Sequence, residues 1–505
     1  MKKPMNKRDM QQRLIRVLAI VLVALLVGST VLSVLVTAFA EETAPARDSY
    51  TMNIEYMKDE QALHITQRLV YHNRTSGTLD RVVFYAAGNM FRRESALMYE
   101  NDVIESVFPE GYAPAGIDLQ SVRVDGADAD WGYQGSEELN LRVACELAPG
   151  ESCAFEFDYY LLLSRSGAMI GELDTDVRLS AFYFIPALVF DGEFYPYAPL
   201  QHTRWVSTNA ADYSVTLTIP DQYLPAATGS ETLVRTENHI SVWQFEAENV
   251  REFALSFGKR YRETTRRTES GVTLRALSND RSGAAHALEY AEAIVNLYES
   301  WLGEFPCNQI DLVQTDYPVD ALNFPGVIWL PDGFFGDKAS MEGALRFCLA
   351  QQYIGLKAYP EPVADAWLSD APCSYLSLLA VEELKGYDAF LTALNNQVLT
   401  SLNLTVPGGL YISAAANLFT AEEYDIIVRD RGTVVMHELR FAAGRENWIA
   451  AMRRFYEIGL ETDILGEYDF VSAFDTVTGG DWEDFITEWL FNVNDYVGQQ
   501  IEFYE

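Results

Sequence analysis

The sequence predicts a multidomain β plus α/β chain: an N-terminal antiparallel β-sandwich, then an α/β, mostly helical domain, behind an apolar N-terminal segment. Three observations carry this. Runs between residues 50 and 262 alternate apolar and polar with period two, the signature of half-buried strands. After residue 264 the pattern changes to helical spacing around a few short strands. Finally, 505 residues with 49% apolar, 13% aromatic and 22% charged content can fill more than one core.

Taken in order, the first element is a leader. Lys2, Lys3, Lys7, Arg8, Arg13 and Arg16 precede a charge-free run of 24 residues from Val17 to Ala40, long enough to span a bilayer. Ala38-Phe39-Ala40 before Glu41 also has the form of a signal-peptidase site. Residues 1–40 are thus a cleaved signal peptide or an uncleaved anchor spanning 17–40. Both place residues 41–505 outside the cytoplasmic membrane, anchored or secreted, because basic flanks stay inside. The sandwich is expected over 41–263. LHITQRLVYHN (63–73), LNLRVACEL (139–147), CAFEFDYY (153–160), YSVTLTIP (213–220) and HISVWQFE (239–246) supply its strands. FYFIPALVFDGEFYPYAPL (182–200) reads as a loop folded over a sheet. The second domain is expected over 264–505. It has a strand at 271–277, a helix from about Ala284 to Leu302 stopped by Gly303, and strands IDLVQT (310–315) and GVIWLP (326–331). Helices follow from Ser340, itself a candidate N-cap.

Charge excludes some partners. Without residues 1–40 the chain keeps 31 Lys and Arg against 72 Asp and Glu, a net charge of −41. Such a body repels phosphate backbones and anionic headgroups, so nucleic acid is not a partner. Five cysteines lie in a disulfide-permissive compartment. Cys145 and Cys153 flank LAPGES between two alternating runs. A turn at Pro149-Gly150 would set them opposite each other in a hairpin, as a disulfide or as two buried thiols.

Imidazole chemistry must come from six histidines, His64, His72, His202, His239, His286 and His437. His437-Glu438 opens the only zincin-like run, but the i+4 position that would hold the second imidazole is Phe441. There is no G-x-S-x-G elbow, Cys/His cluster or phosphate-cradling glycine loop.

The order of elements is more informative. VREFALSFGKRY (250–261) is followed by a helix ending in WLGEFP, then IDLVQT, DALNFPGVIWLP (320–331), FCLAQQYIG (347–355) and WLSDAPCSYLSLL. With GIDLQSVRVDG (116–126) and YSVTLTIPDQYLPAATG (213–229), this resembles the aminopeptidase N family of gluzincin zinc metallopeptidases over roughly residues 50–495. The resemblance implies a thermolysin-like second domain. It also implies a metal site on H-E-x-x-H, with a glutamate ligand eighteen residues later in a W-L-N-E-G-type segment. In that frame Phe347 takes the first histidine position, Cys348 the catalytic glutamate, Gln351 the second histidine and Asp370 the third ligand. Asn323 takes the place of the glutamate that would hold a peptide's free N-terminus, and Arg429 that of the oxyanion-stabilising tyrosine.

On this resemblance zinc is expected by family and expected lost, with no catalytic or metal residues remaining. The expected function is a non-catalytic pseudopeptidase binding a peptide or protein in a cleft lined by Asn323, Gln351, Asp370 and Arg429. Two alternatives stay open: an active metallo-aminopeptidase with an atypical site around His437-Glu438, and an accessory subunit of a membrane transport complex. The replacements also have plain structural readings. Phe347 and Cys348 fill a core, Asp370 caps a helix, and Cys348 and Cys373 form a disulfide in place of the metal or stay as buried thiols.

Overall fold

The first half of the chain is β-structure because its strands present every second residue to one core. Ala211–Pro220 alternates buried and half-buried residues along its whole length. A computed structural model describes residues 47–492 apart from 94–102, 175, 191, 196–199, 201–205 and 403–409. The leader, the apolar run 17–40 and His202 lie outside the described residues. Among the described residues no helix is long and apolar enough to cross a membrane.

An eight-stranded sheet runs in the order Ser230–Glu237, Ile240–Val250, Ala211–Pro220, Asp48–Met57, Ala62–His72, Ser152–Leu162, Gly116–Val124, Ala127–Asp128. It departs from the antiparallel expectation at one place, where Asp48–Met57 pairs parallel with Ala211–Pro220. Two four-stranded sheets face the same core, and Phe84 of one meets Phe155 and Phe157 of the large sheet at 5.0 and 5.1 Å. The hairpin expected around LAPGES is not formed. Asn140–Leu147 pairs within a four-stranded sheet and Ser152–Leu162 within the eight-stranded one, so the turn carries the chain from one sheet to the other. In the aromatic-rich stretch Ile185–Pro186 is also a strand, paired with Phe84 and Tyr85 rather than looped over the sheet.

A five-stranded sheet begins the second half. Thr273–Ser278, Gln309–Thr315 and Val327–Pro331 are parallel, and Leu322–Phe324 closes one edge antiparallel. Helix α1 (Arg281–Leu302) connects the first two; Asp280 caps it by accepting from the Ser282 and Gly283 amides. Helix α2 (Lys338–Tyr353) is capped by Asp337, not Ser340. The Asp337 carboxylate accepts from the Ala339 and Ser340 amides, and the Ser340 hydroxyl donates to it at 2.7 Å. A carboxylate at the positive end of the helix dipole outcompetes the hydroxyl. Helix α3 (Trp367–Lys385) is buried at every residue from Trp367 to Val381, so it runs through the centre of this half. Around it lie α4 (Tyr387–Leu402), α5 (Gly432–Ala443), α6 (Arg445–Glu461), α7 (Glu467–Thr478) and α8 (Glu483–Asn492).

Residues from Asp48 onward form one compact unit. Two buried guanidinium groups tie the β-structure to the helices and strands behind it. Arg275 pairs with Asp311 on the adjacent strand at 3.2 Å and with Glu231 from the edge of the large sheet. Burial, opposed by Arg275, pushes the Asp311 carboxyl up to about 8. Arg251 lies over the Tyr359 ring at 4.2 Å and donates to the Thr208 carbonyl at 2.8 Å.

Candidate functional site

Helical spacing puts Phe347 and Gln351 one turn apart on α2, and the chain returns along α3 with Asp370 in its first turn. Asp370 is therefore inside the helix rather than capping it. A pocket of about 540 Å³ opens between α2, α3 and the edge strand Leu322–Phe324. Asn323, Phe347, Cys348, Gln351, Asp370 and Arg429 all line it. The structure thus brings together the six residues that the family frame singled out.

Asp370 is the hub. Its Oδ1 accepts from Gln351 Nε2 at 2.9 Å, and its Oδ2 accepts from Tyr424 Oη at 3.0 Å and from Arg429 Nε at 3.2 Å. The opposite side of the Arg429 guanidinium reaches Asp425 at 2.9 Å, and its face lies 5.3 Å from the centre of the Phe347 ring. Burial opposes the Arg429 charge, but Asp425 and Asp370 outweigh it and raise the guanidinium's pKa. Burial, with Asp370 alongside, likewise holds the Tyr424 phenol far above its ordinary value, so it stays a donor.

Local backbone geometry delivers these groups. Asp425–Arg431 is a π-helical stretch between the one-turn helix Ala421–Tyr424 and α5. The wider turn lets Tyr424, Asp425 and Arg429 all reach the pocket. Gly432, immediately after it, lies against α3 so closely that a Cβ there would sit 2.6 Å from the Cβ of Ala371. Glycine allows the close approach that carries Arg429 to Asp370.

Asn323 is turned toward the helix rather than the pocket centre. Its Nδ2 donates to the Cys348 carbonyl at 2.8 Å, and its Oδ1 accepts from Gln352. The cysteines are held as thiols in this structure. Cys373 Sγ donates to the Ile354 carbonyl at 3.2 Å, and Cys348 is buried in α2. Cys145 and Cys153 share a hydrogen bond although they belong to different sheets.

His437 does not line the pocket. Its Nδ1 meets Tyr375 Oη at 2.9 Å, and burial followed by the Arg440 charge pushes the imidazole down to about 4. Among the described residues no group of three or more His, Cys, Asp or Glu gathers in a metal-binding arrangement. The sequence reading missed Tyr424, whose signal would have been a spacing of five from Arg429, a π-helical interval that helix templates do not test. It also missed Ser374 and Gln397, which line the same pocket, with Gln397 Nε2 donating to Ser374 Oγ at 3.0 Å.

A β-structured first half, a sheet of three parallel strands with an antiparallel strand at each edge, and a pocket over two central helices form an architecture that resembles the M1 metallopeptidase fold. Solved structures that it resembles include those of an M1 zinc metallopeptidase from Deinococcus radiodurans. One, of that enzyme itself, is 16% identical with a TM-score of 0.61, and the match covers 88% of this chain and 92% of that one. A mutant bound to a Tyr-Ser-Ala substrate gives 16% identity and a TM-score of 0.61, covering 88% and 93%. At this identity the likeness is one of fold. No family model and no curated protein sequence matches the chain.

Proposed function

We propose that this chain is a zinc-free, non-hydrolytic relative of the M1 metallopeptidases that binds a peptide or protein in the α2–α3 pocket. One observation carries the reading: the carboxylate at the third-ligand position is already committed to Gln351, Tyr424 and Arg429. A zinc site of this type needs three protein donors and an open position for water. Phe347 offers no donor, and the Gln351 amide nitrogen gives its hydrogen to Asp370. These residues do not fit the metal, and Cys348 in the place of the general base cannot replace a carboxylate that activates water.

What remains is a pocket of about 540 Å³ with mixed polar and apolar walls, a size suited to a short peptide segment. The basic start and the run 17–40 support an extracytoplasmic location, with the chain anchored or released. The test uses the full chain in mild detergent, purified without chelators or nickel affinity. Metal content is read by plasma mass spectrometry and aminopeptidase turnover by product release. Tyr-Ser-Ala, the tripeptide bound to the Deinococcus relative, is the binding probe. Substoichiometric zinc with binding and no cleavage is expected. Stoichiometric zinc together with turnover overturns the proposal.

A further inference from the structure

In a chain with 73 acidic and 37 basic residues, inward-facing guanidinium groups have carboxylates to pair with. Arg178 holds Asp176, Arg275 holds Asp311, Arg429 holds Asp370 and Arg440 holds Glu382. Arg346, one residue before Phe347 on α2 and also lining the pocket, is different. Its Nε donates to Ser377 Oγ at 3.2 Å and its Nη1 to Tyr290 Oη at 2.8 Å, both neutral acceptors. Glu342, one turn earlier, is held instead by Lys385 at 2.6 Å and His286 at 3.2 Å. Among the described residues, no carboxylate pairs with Arg346.

Nη2 of this guanidinium has no hydrogen-bond partner among the described residues. It lies beside Gly343, where even an added Cβ would stay 3.9 Å away, and Gly343 lines the pocket too. Two contacts fix the plane of the group, and its third nitrogen has no acceptor among the described residues. The pocket's own acids are engaged elsewhere: Asp370 and Asp425 by Arg429, Glu252 by the Ser180 hydroxyl at 2.7 Å, and Asp320 by the Ala321 amide at 2.7 Å. A fixed guanidinium with an open edge is suited to a carboxylate, through short charge-assisted hydrogen bonds.

We propose that Arg346 is the pocket's receptor for a carboxylate of the bound peptide, either its C-terminus or an acidic side chain. This rests on reading the pocket as a peptide site. The test is titration calorimetry of the full chain with Tyr-Ser-Ala, its C-terminal amide, and Tyr-Ser-Glu amide. The free acid is expected to bind about tenfold or more tightly than its amide, the loss of one hydrogen bond to a charged group. Recovery with Tyr-Ser-Glu amide assigns the contact to a side chain, and no recovery assigns it to the C-terminus. Arg346→Gln is expected to erase the difference between acid and amide, and Arg346→Lys to keep part of it. The comparison on the unaltered chain needs no variant to fold. Equal binding of acid and amides there overturns this inference and leaves the peptide reading standing. A difference that survives in a folded Arg346→Gln chain also overturns it. No binding by any of the three peptides overturns both.

Discussion

Replacing Arg429 with Gln removes the one full positive charge that touches Asp370. The carboxylate's side chain is about 10% exposed and that of Arg429 about 29%, so the pair is largely but not wholly shielded. Breaking a buried pair by deleting one partner costs ~3–5 kcal/mol. Here Asp370 keeps its bonds from Gln351 and Tyr424, and Arg429 is partly hydrated, so the loss falls to ~2–3 kcal/mol. An entropy of unfolding of ~2 cal/mol/K per residue makes this roughly 2–3 °C in Tm for a unit of this size. Asp370→Asn and the double variant complete a cycle whose coupling is expected at ~1–2 kcal/mol. Differential scanning calorimetry reads all four chains, each with and without EDTA. The reasoning fails if Arg429→Gln melts with the parent and the cycle is additive within ~0.5 kcal/mol. A fall in the parent's Tm on chelation would show that a metal, not the guanidinium, ties these helices.

Gly432→Ala must push α5 and the π-helical stretch away from Ala371, costing ~1–3 kcal/mol by overpacking, so its Tm should drop. An unchanged Tm would mean that the close approach is not needed. His437 stays neutral in the fold down to about 4, whereas an unfolded histidine takes its proton near pH ~6.5, so stability falls as pH drops through that interval. Melting curves of His437→Gln from pH 7 to 4.5 should show a shallower fall than the parent's, and an identical slope refutes the assignment.

Local patterns were legible and distant pairings were not. Alternation located Ala211–Pro220 as a strand, but nothing local shows that it lies parallel to Asp48–Met57, a partner over 150 residues away. The same limit explains Cys145 and Cys153: a short turn between two alternating runs has the form of a hairpin. Which sheet each strand joins is decided instead by Leu79–Tyr85 and Ala62–His72. Capping failed for a chemical reason, since Asp337 and Ser340 are both competent caps and the charged one prevailed. In the pocket, the contact between Gln351 and Asp370 followed from spacing within the family frame. Tyr424 and Arg346 did not, because neither occupies a position that frame marks.

The contacts of Asp370 also bear on how far the pocket stands from a metal site. Restoring imidazoles at 347 and 351 alone would leave Arg429 Nε 3.2 Å from Asp370 Oδ2. Any cation on that oxygen would share it with a guanidinium, and like charges on one buried acceptor repel strongly at low dielectric. Arg429 is held in turn by Asp425 and by the Phe347 ring, so the residue in the place of the family's first ligand helps to seat the charge that pairs with Asp370. The replacements are therefore coupled. Phe347 provides an aromatic face, Arg429 occupies it and neutralises Asp370, and Gln351 supplies the neutral amide that Asp370 still accepts. On the proposed zinc-free reading, such a set holds together through its own hydrogen bonds and ion pairs and leaves the space in front of α2 for a ligand.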